Sequence, residues 1–233
     1  MHPTTPSSPP NSDSARLGAV LLAGGTATRM GGAPKCLLEI DGVPLVRQQA
    51  CALLDCGLWP VNVVLGHHGE RVATALHGLP VQQVHHPRFA EGQASSLRAG
   101  LASLPDGLSG VLVALADMPM IGQPEIAALL HAWSQRPDHA DMLVPQPHGR
   151  PGNPVLFTPR VRLDLLQNQG DFGGRQWQAA HPESVWRWPT NNAHYQMDLD
   201  SPDDLEQFSA ATGLTPRWPQ TTPPPSEPIQ QGH

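Results

Sequence analysis

The sequence predicts an α/β fold: a mostly parallel sheet covered by helices on both faces. Three observations predict it. Short apolar runs alternate with stretches of helical periodicity from residue 18 to residue 134, a rhythm that implies right-handed crossovers between parallel strands. The clearest runs, residues 61–65 and 111–116, are almost wholly apolar, as strands buried on both faces are. The first run, residues 18–22, breaks into glycines, and such sheets bind ligands where their strands end.

The chain has 233 residues, enough to bury a sizeable core. Residues 1–15 and 215–233 are rich in Pro, Ser and Thr and read as disordered tails. They flank one domain over residues 16–214. A net charge of −6 speaks against a nucleic-acid partner, since no basic field attracts a polyanion. No stretch approaches the roughly 20 apolar residues that span a bilayer, so no membrane partner is expected. No basic segment followed by an apolar one opens the chain, so no secretory signal is expected. Cys36, Cys51 and Cys56 form no C-x-x-C pair and read as free thiols of a cytoplasmic protein.

The elements follow in order. After the strand at 18–22 and its glycine loop, Leu37-Leu38-Glu39-Ile40-Asp41-Gly42-Val43 reads as a short strand ending in an Asp-Gly turn. Pro44 fits the first position of a helix running to about Cys56, with Gly57 as its stop. A strand at 61–65 closes at Gly66. A helix near 70–76, a strand at 81–84 and a helix at 95–104 lead to the strand at 111–116. A helix spans about 124–134. Strands at 142–144 and 155–157 flank the loop 149–154, and a helix covers about 160–167. Ser201 caps a last helix, with Pro202 at its first position and Asp203 and Asp204 at its positive end.

The chemistry gathers on Leu21-Leu22-Ala23-Gly24-Gly25-Thr26-Ala27-Thr28-Arg29-Met30-Gly31-Gly32-Ala33-Pro34-Lys35. Glycines bring backbone N–H groups close to an anion, and Arg29 and Lys35 add charge where phosphate oxygens sit. The loop is neither a P-loop nor a dinucleotide fingerprint: Lys35 is followed by Cys36, not by a hydroxyl. We read it as holding a nucleoside triphosphate. An ordinary strand-to-helix turn is the competing reading.

Asp117 ends the strand at 111–116 and reaches the same sheet edge. Paired with Asp200 it can hold Mg²⁺, which takes one or two carboxylates plus phosphate oxygens and waters. Helix capping explains Asp200 nearly as well, and Asp198 is placed for the same role. The pairs His67-His68 and His85-His86 lack the spacing of a zinc site and read as surface or loop histidines. No G-x-S-x-G elbow suggests a serine hydrolase.

The motifs resemble the molybdenum cofactor nucleotidyltransferase family. Leu22-Ala23-Gly24-Gly25 through Arg29-Met30-Gly31 to Lys35 looks like its signature. Gly92-Gln93-Ala94-Ser95-Ser96-Leu97-Arg98-Ala99-Gly100, Asp117-Met118-Pro119, Gly149-Arg150-Pro151-Gly152-Asn153-Pro154, Gly170-Asp171-Phe172-Gly173-Gly174-Arg175 and Asp200-Ser201-Pro202 resemble its cytidylyltransferase branch. Two positions depart from that branch: Gly24 is the guanylyl form of a Leu-Ala-Ala-Gly motif, and Asn153 stands where many cytidylyl members carry histidine.

The resemblance implies a Rossmann-like, glycosyltransferase-A-type sheet and Mg²⁺ dependence. It implies that Leu22, Ala23, Gly24 and Gly25 contact the nucleotide, Arg29 and Lys35 the phosphates, and Asp117 with Asp200 the metal. Ser96 would contact the nucleoside, and Gly152, Asn153, Asp171 and Arg175 would lie toward the acceptor. The expected reaction transfers CMP from CTP to the terminal phosphate of molybdopterin and releases pyrophosphate. Arg29, Lys35 and Asp117 would be the catalytic residues. A molybdoenzyme apoprotein of the xanthine dehydrogenase type is the expected downstream partner. The alternatives are GMP transfer from GTP, transfer to a sugar phosphate, and a non-catalytic accessory protein that delivers the cofactor.

Overall fold

Long apolar runs become the central strands. The structure, a computed structural model, describes residues 16–24, 34–168 and 170–219. β1 (Leu17–Ala23), β4 (Val61–Leu65) and β6 (Gly110–Leu115) are buried along nearly their whole length. β5 (Gln82–His85), β7 (Met142–Pro147), β8 (Val155–Phe157) and β9 (Val185–Thr190) complete a seven-stranded sheet of order β5-β4-β1-β6-β8-β7-β9. Within this sheet only β8 runs against its neighbours; the other pairings are parallel. The fold is the mostly parallel α/β sheet that the strand–helix rhythm predicts.

Successive strand residues point to opposite faces, and the core splits accordingly. Ala19, Leu21, Val63, Leu112 and Ala114 face one side. There they meet α1 (Leu45–Asp55), α2 (Gly69–Ala75) and α4 (Gln123–Ser134) through Val46, Leu53, Val72, Ile126 and Leu129. Val20, Val64, Val111 and Val113 face the other. They pack on α3 (Gln93–Ala102), α5 (Pro159–Gln167) and α6 (Gly174–Ala180) through Leu97, Leu101, Leu165 and Trp177.

The stretch read as one strand over 37–43 is instead a 3-10 turn at Lys35–Leu37 followed by a two-residue-per-strand hairpin, β2 (Glu39–Ile40) and β3 (Val43–Pro44). Asp41 and Gly42 both have positive φ, 53° and 75°, the backbone that a tight hairpin needs and that glycine adopts freely. Pro44 precedes α1 rather than opening it. The last helix, α7 (Pro202–Thr212), starts as expected: the Ser201 hydroxyl accepts from Asp204 N, and the Asp204 carboxylate accepts from Ser201 N at 2.7 Å. Phe208 and Leu199 pack on Leu38, Ile40 and Leu45, fastening this end of the chain to the hairpin.

Two elements, α6 and β9, lie in a region the sequence leaves irregular. β9 is an edge strand whose exposure alternates, and an edge tolerates its Pro189. Past residue 214, inside the stretch assigned to the C-terminal tail, Arg217 exchanges two backbone hydrogen bonds of 2.8 Å with Glu39. Among the described residues no helix is long and apolar enough to cross a membrane.

Candidate active site

The site is assembled where β1, β4 and β6 end. Leu22 is flanked by Val64 and Leu115, and its carbonyl accepts from Ala116 N at 3.1 Å. Ala23 ends β1 opposite Leu65, and Gly24 then leaves the sheet beside Gly66, just past β4. The two backbones all but touch: a Cβ on Gly66 would stand 2.6 Å from the Gly24 oxygen and 2.7 Å from its Cα. Gly66 therefore has to lack a side chain for Gly24 to follow Ala23 along this path.

α3 supplies the next wall. It approaches the sheet so closely at Gly100 that a Cβ there would lie 2.5 Å from a Val20 methyl and 2.8 Å from a Val64 methyl. One turn earlier on this helix is Ser96, buried, its Oγ 3.8 Å from where a Cβ on Gly24 would stand. Gly24 and Ser96, predicted to share the nucleotide, are thus neighbours.

Lys35 opens the 3-10 turn that follows the loop. The Cys36 thiol donates to the Ala23 carbonyl, which ties that turn to the end of β1. Burial, with Asp117 nearby, pushes the Cys36 thiol up to about 12, so it is a clasp rather than a nucleophile. The Lys35 Nζ donates to Asp200 Oδ1 and stands 3.8 Å from Asp117 Oδ2. Burial raises the Asp117 carboxyl above the usual carboxylate range against the lowering pull of Lys35, and Asp198 and Asp200 add to the rise. Of the two candidates after Met197, Asp200 takes the place beside Lys35.

Two carboxylates converging on one ammonium suit a divalent cation. Among the described residues no three His, Cys, Asp or Glu side chains converge to form a cage. Two carboxylates are what the chain offers, and Mg²⁺ accepts that number when substrate oxygens and water complete its shell. The residues fit the ion.

Other expected residues are held differently. Gly25 and Arg29 lie outside the described residues. Gly152 N donates to Pro145 O and Asn153 N to Tyr195 O, both at 2.8 Å. A Cβ on Gly152 would lie 2.4 Å from that Tyr195 oxygen. Both residues thus clamp the 149–154 loop to the segment leading into Asp198 and Asp200. Asp171 and Arg175 are exposed: Asp171 lies on a loop hung from α3, where Arg98 donates to Gly170 O at 2.7 Å and Phe172 O at 3.2 Å, and Arg175 lies in the first turn of α6.

His86, expected at the surface or in a loop, lies in the loop after β5 and is buried there, with Nε2 2.8 Å from Ser95 Oγ. Ser95 donates in turn to Glu91 at 3.3 Å. The carboxylate bonds the serine rather than the far ring nitrogen, so the trio lacks the base-orienting link of a hydrolase triad.

Sequence reasoning missed Gln49. Its side chain is buried, and its Nε2 donates at 2.7 Å to both Met118 O and Ile121 O, holding the turn that follows Asp117. A signal existed: Gln49 is a polar residue on the buried face of α1 shared by Leu45, Ala52 and Leu53. It also missed Glu125 and His194, whose side chains meet at 2.8 Å across 69 positions of sequence; no local pattern marks them.

An open parallel sheet with a glycine cradle, a lysine and two acids at its strand ends is the frame of a nucleotidyltransferase. The chain belongs to the MobA-like NTP transferase domain family, which matches residues 19–185. It is 38% identical over 133 residues to a probable molybdenum cofactor guanylyltransferase of Natronomonas pharaonis, covering 55% of this chain and 60% of that protein. It is 30% identical over 213 residues to a probable molybdenum cofactor guanylyltransferase of Chloroflexus aggregans, covering 85% and 96%. The chain spans less than two thirds of the first relative's length. In three dimensions it is similar to a nucleotidyl transferase from Methanothermobacter thermautotroptrophicus, with a TM-score of 0.70 at 19% identity over 85% of this chain and 98% of that one. At that identity the likeness is one of fold.

Proposed function

We propose that this enzyme transfers CMP from CTP to the terminal phosphate of molybdopterin, releasing pyrophosphate. The observation that carries the reading is Lys35 set between Asp117 and Asp200 beside the Gly24–Gly66 cradle. Leu22, Ala23 and Gly24 line the nucleotide through their backbone, with Gly25 and Arg29 in the continuing loop, and Ser96 faces the nucleoside. The Lys35 ammonium turns from Asp200 to the phosphate oxygens once a triphosphate is present. A magnesium ion held by Asp117 and Asp200 would neutralise charge on the triphosphate and the departing pyrophosphate. The acceptor phosphate attacks the α-phosphorus in line, so this chain's contribution is placement and charge, with no covalent enzyme intermediate. The 149–154 loop with Gly152 and Asn153, and the exposed Asp171 and Arg175, face the acceptor.

A second reading, GMP transfer from GTP, is favoured by Gly24 and by the two relatives named as guanylyltransferases. The product would pass to a cytoplasmic molybdoenzyme apoprotein of the xanthine dehydrogenase type. The test is pyrophosphate release from CTP, GTP, ATP and UTP with Mg²⁺ and molybdopterin. CTP is expected to turn over fastest. A GTP preference replaces the first reading with the second, and silence with all four overturns both.

A further inference from the structure

The two aspartates that meet Lys35 come from distant parts of the chain, and their separation has to be set by something. Asp117 is continuous with β6. Asp200 lies on the stretch 191–200, which has no regular strand and only a short 3-10 turn at Ala193–Gln196. One backbone bond joins their two stretches, Leu199 N, next to Asp200, to Asp117 O at 3.2 Å.

A second link runs behind them. Glu125, in the first turn of α4, is buried. Its Oε2 accepts from Gly122 N at 3.1 Å. Its Oε1 accepts from Asn192 Nδ2 at 3.3 Å and meets His194 Nδ1 at 2.8 Å. Its backbone carbonyl accepts from the Tyr195 hydroxyl at 2.8 Å. One residue thus holds both the end of the turn that begins at Asp117 and the beginning of the stretch that ends at Asp200. Gln49 grips the middle of that turn from α1.

A buried carboxylate is a poor way to gain stability, because desolvation offsets most of its pairing energy and an apolar group of equal volume serves as well. What it supplies is a fixed location. Groups that orient metal-binding carboxylates from behind commonly change metal affinity by 10- to 100-fold when removed.

We infer that Glu125 and His194 are positioning residues that set Asp200 against Asp117, and so set the affinity of the acid pair for a divalent cation. The inference rests on the transferase reading above.

The test uses the full chain and the triphosphate that the wild type turns over. Nucleotide binding is measured by calorimetry with and without Mg²⁺, and pyrophosphate release is titrated with Mg²⁺. His194 is partly exposed, so His194→Ala is expected to fold. It should raise the Mg²⁺ needed for half-maximal rate about tenfold, with kcat at saturating Mg²⁺ and metal-free nucleotide affinity unchanged. His194→Gln, which can still donate an N–H to Glu125, should recover most of the shift, and Glu125→Gln should weaken Mg²⁺ as His194→Ala does. A lower melting temperature alone, with Mg²⁺ half-saturation unchanged in His194→Ala, overturns the inference and leaves the transferase reading standing. Wild-type nucleotide binding indifferent to Mg²⁺, with no pyrophosphate formed, overturns the transferase reading and the inference together.

Discussion

Lys35 and Asp200, 165 positions apart, are joined by a hydrogen bond from Nζ to Oδ1. The bond exists because the 3-10 turn after the glycine loop and the stretch before α7 both fold back to the end of β1, with Asp117 3.8 Å from the same ammonium. A unit pair at about 4 Å in an effective dielectric near 20 is worth about 4 kcal/mol before desolvation. Asp200 is half exposed, so solvent screens much of this. A triphosphate carries more negative charge than one carboxylate and can draw Lys35 away.

Lys35→Ala removes that charge from a largely covered position, 16% exposed, where the ammonium partners two carboxylates. Pyrophosphate release should fall by about 100-fold or more while the circular dichroism spectrum stays native. Wild-type turnover in a folded Lys35→Ala protein would remove the lysine from the mechanism.

Gly66→Ala should damage both fold and binding. Its Cβ would stand 2.6 Å from backbone atoms of Gly24 that have nowhere to go. Overpacking of this kind costs about 1–3 kcal/mol. Thermal melting should register that loss, and nucleotide affinity should drop because the loop leaving β1 is pushed from its path.

Gly24→Ala is the contrasting case. The new methyl would lie 3.5 Å from Gly66 and 3.8 Å from Ser96 Oγ, ordinary contact distances. Stability should stay within about 0.5 kcal/mol of wild type. The methyl narrows the space beside Ser96, so the ratio of CTP to GTP affinity should rise by about tenfold, the usual effect of a single methylene in a pocket. Calorimetry with each nucleotide reads it; an unchanged ratio would take base choice away from this position.

Asp117→Asn separates stability from activity. Burial raises the folded-state pKa of Asp117 above its unfolded value despite Lys35. The folded chain therefore keeps a proton at pH values where the unfolded chain has lost it. That favours folding below the unfolded pKa, and the benefit is lost as pH rises through the folded value. At pH 7 the ionised group opposes folding, so Asp117→Asn should melt at or above the wild-type temperature. The gap should narrow as pH falls through the folded value and settle below about 4, the ordinary value of an unfolded aspartate, where folded and unfolded chains both hold the proton. Pyrophosphate release should be lost at every pH. A variant that melts well below wild type at pH 7 would show that Lys35 pairing outweighs burial.

The central strands were legible because parallel strands buried on both faces read as near-continuous apolar runs, as 111–116 and, but for Asn62, 61–65 do. α7 was legible because Ser201, Pro202 and Asp204 are start signals that act within one turn. β9 was not: Val-Trp-Arg-Trp-Pro-Thr carries a charge and a proline that only its edge position excuses. α6 is seven residues anchored in the core by Trp177, too short for periodicity to declare itself. At the site, Lys35, Asp117 and Asp200 could be named from motif and topology, since strand ends gather on one edge. Gly66 was read as a strand terminator, because its close approach to Gly24 is a property of two neighbouring strands. The Glu125–His194 bond was invisible for the same reason: nothing local distinguishes its partners until β6 and β9 lie in one sheet.

The fit of Gly100 between Val20 and Val64 has a consequence for motion. Backbone meets side chain there with no slack, so α3 cannot slide along the sheet or press closer to it without displacing Val20 or Val64. Ser96 is therefore carried on a fixed jaw. The opposite jaw, the stretch 191–200 with Asp200, is held by side-chain hydrogen bonds and by two backbone bonds to other segments, Leu199 N to Asp117 O and Asn153 N to Tyr195 O. The helix side of the site is thus set by van der Waals contact, while Asp200 on the acid side is set by hydrogen bonds along a stretch with no regular strand.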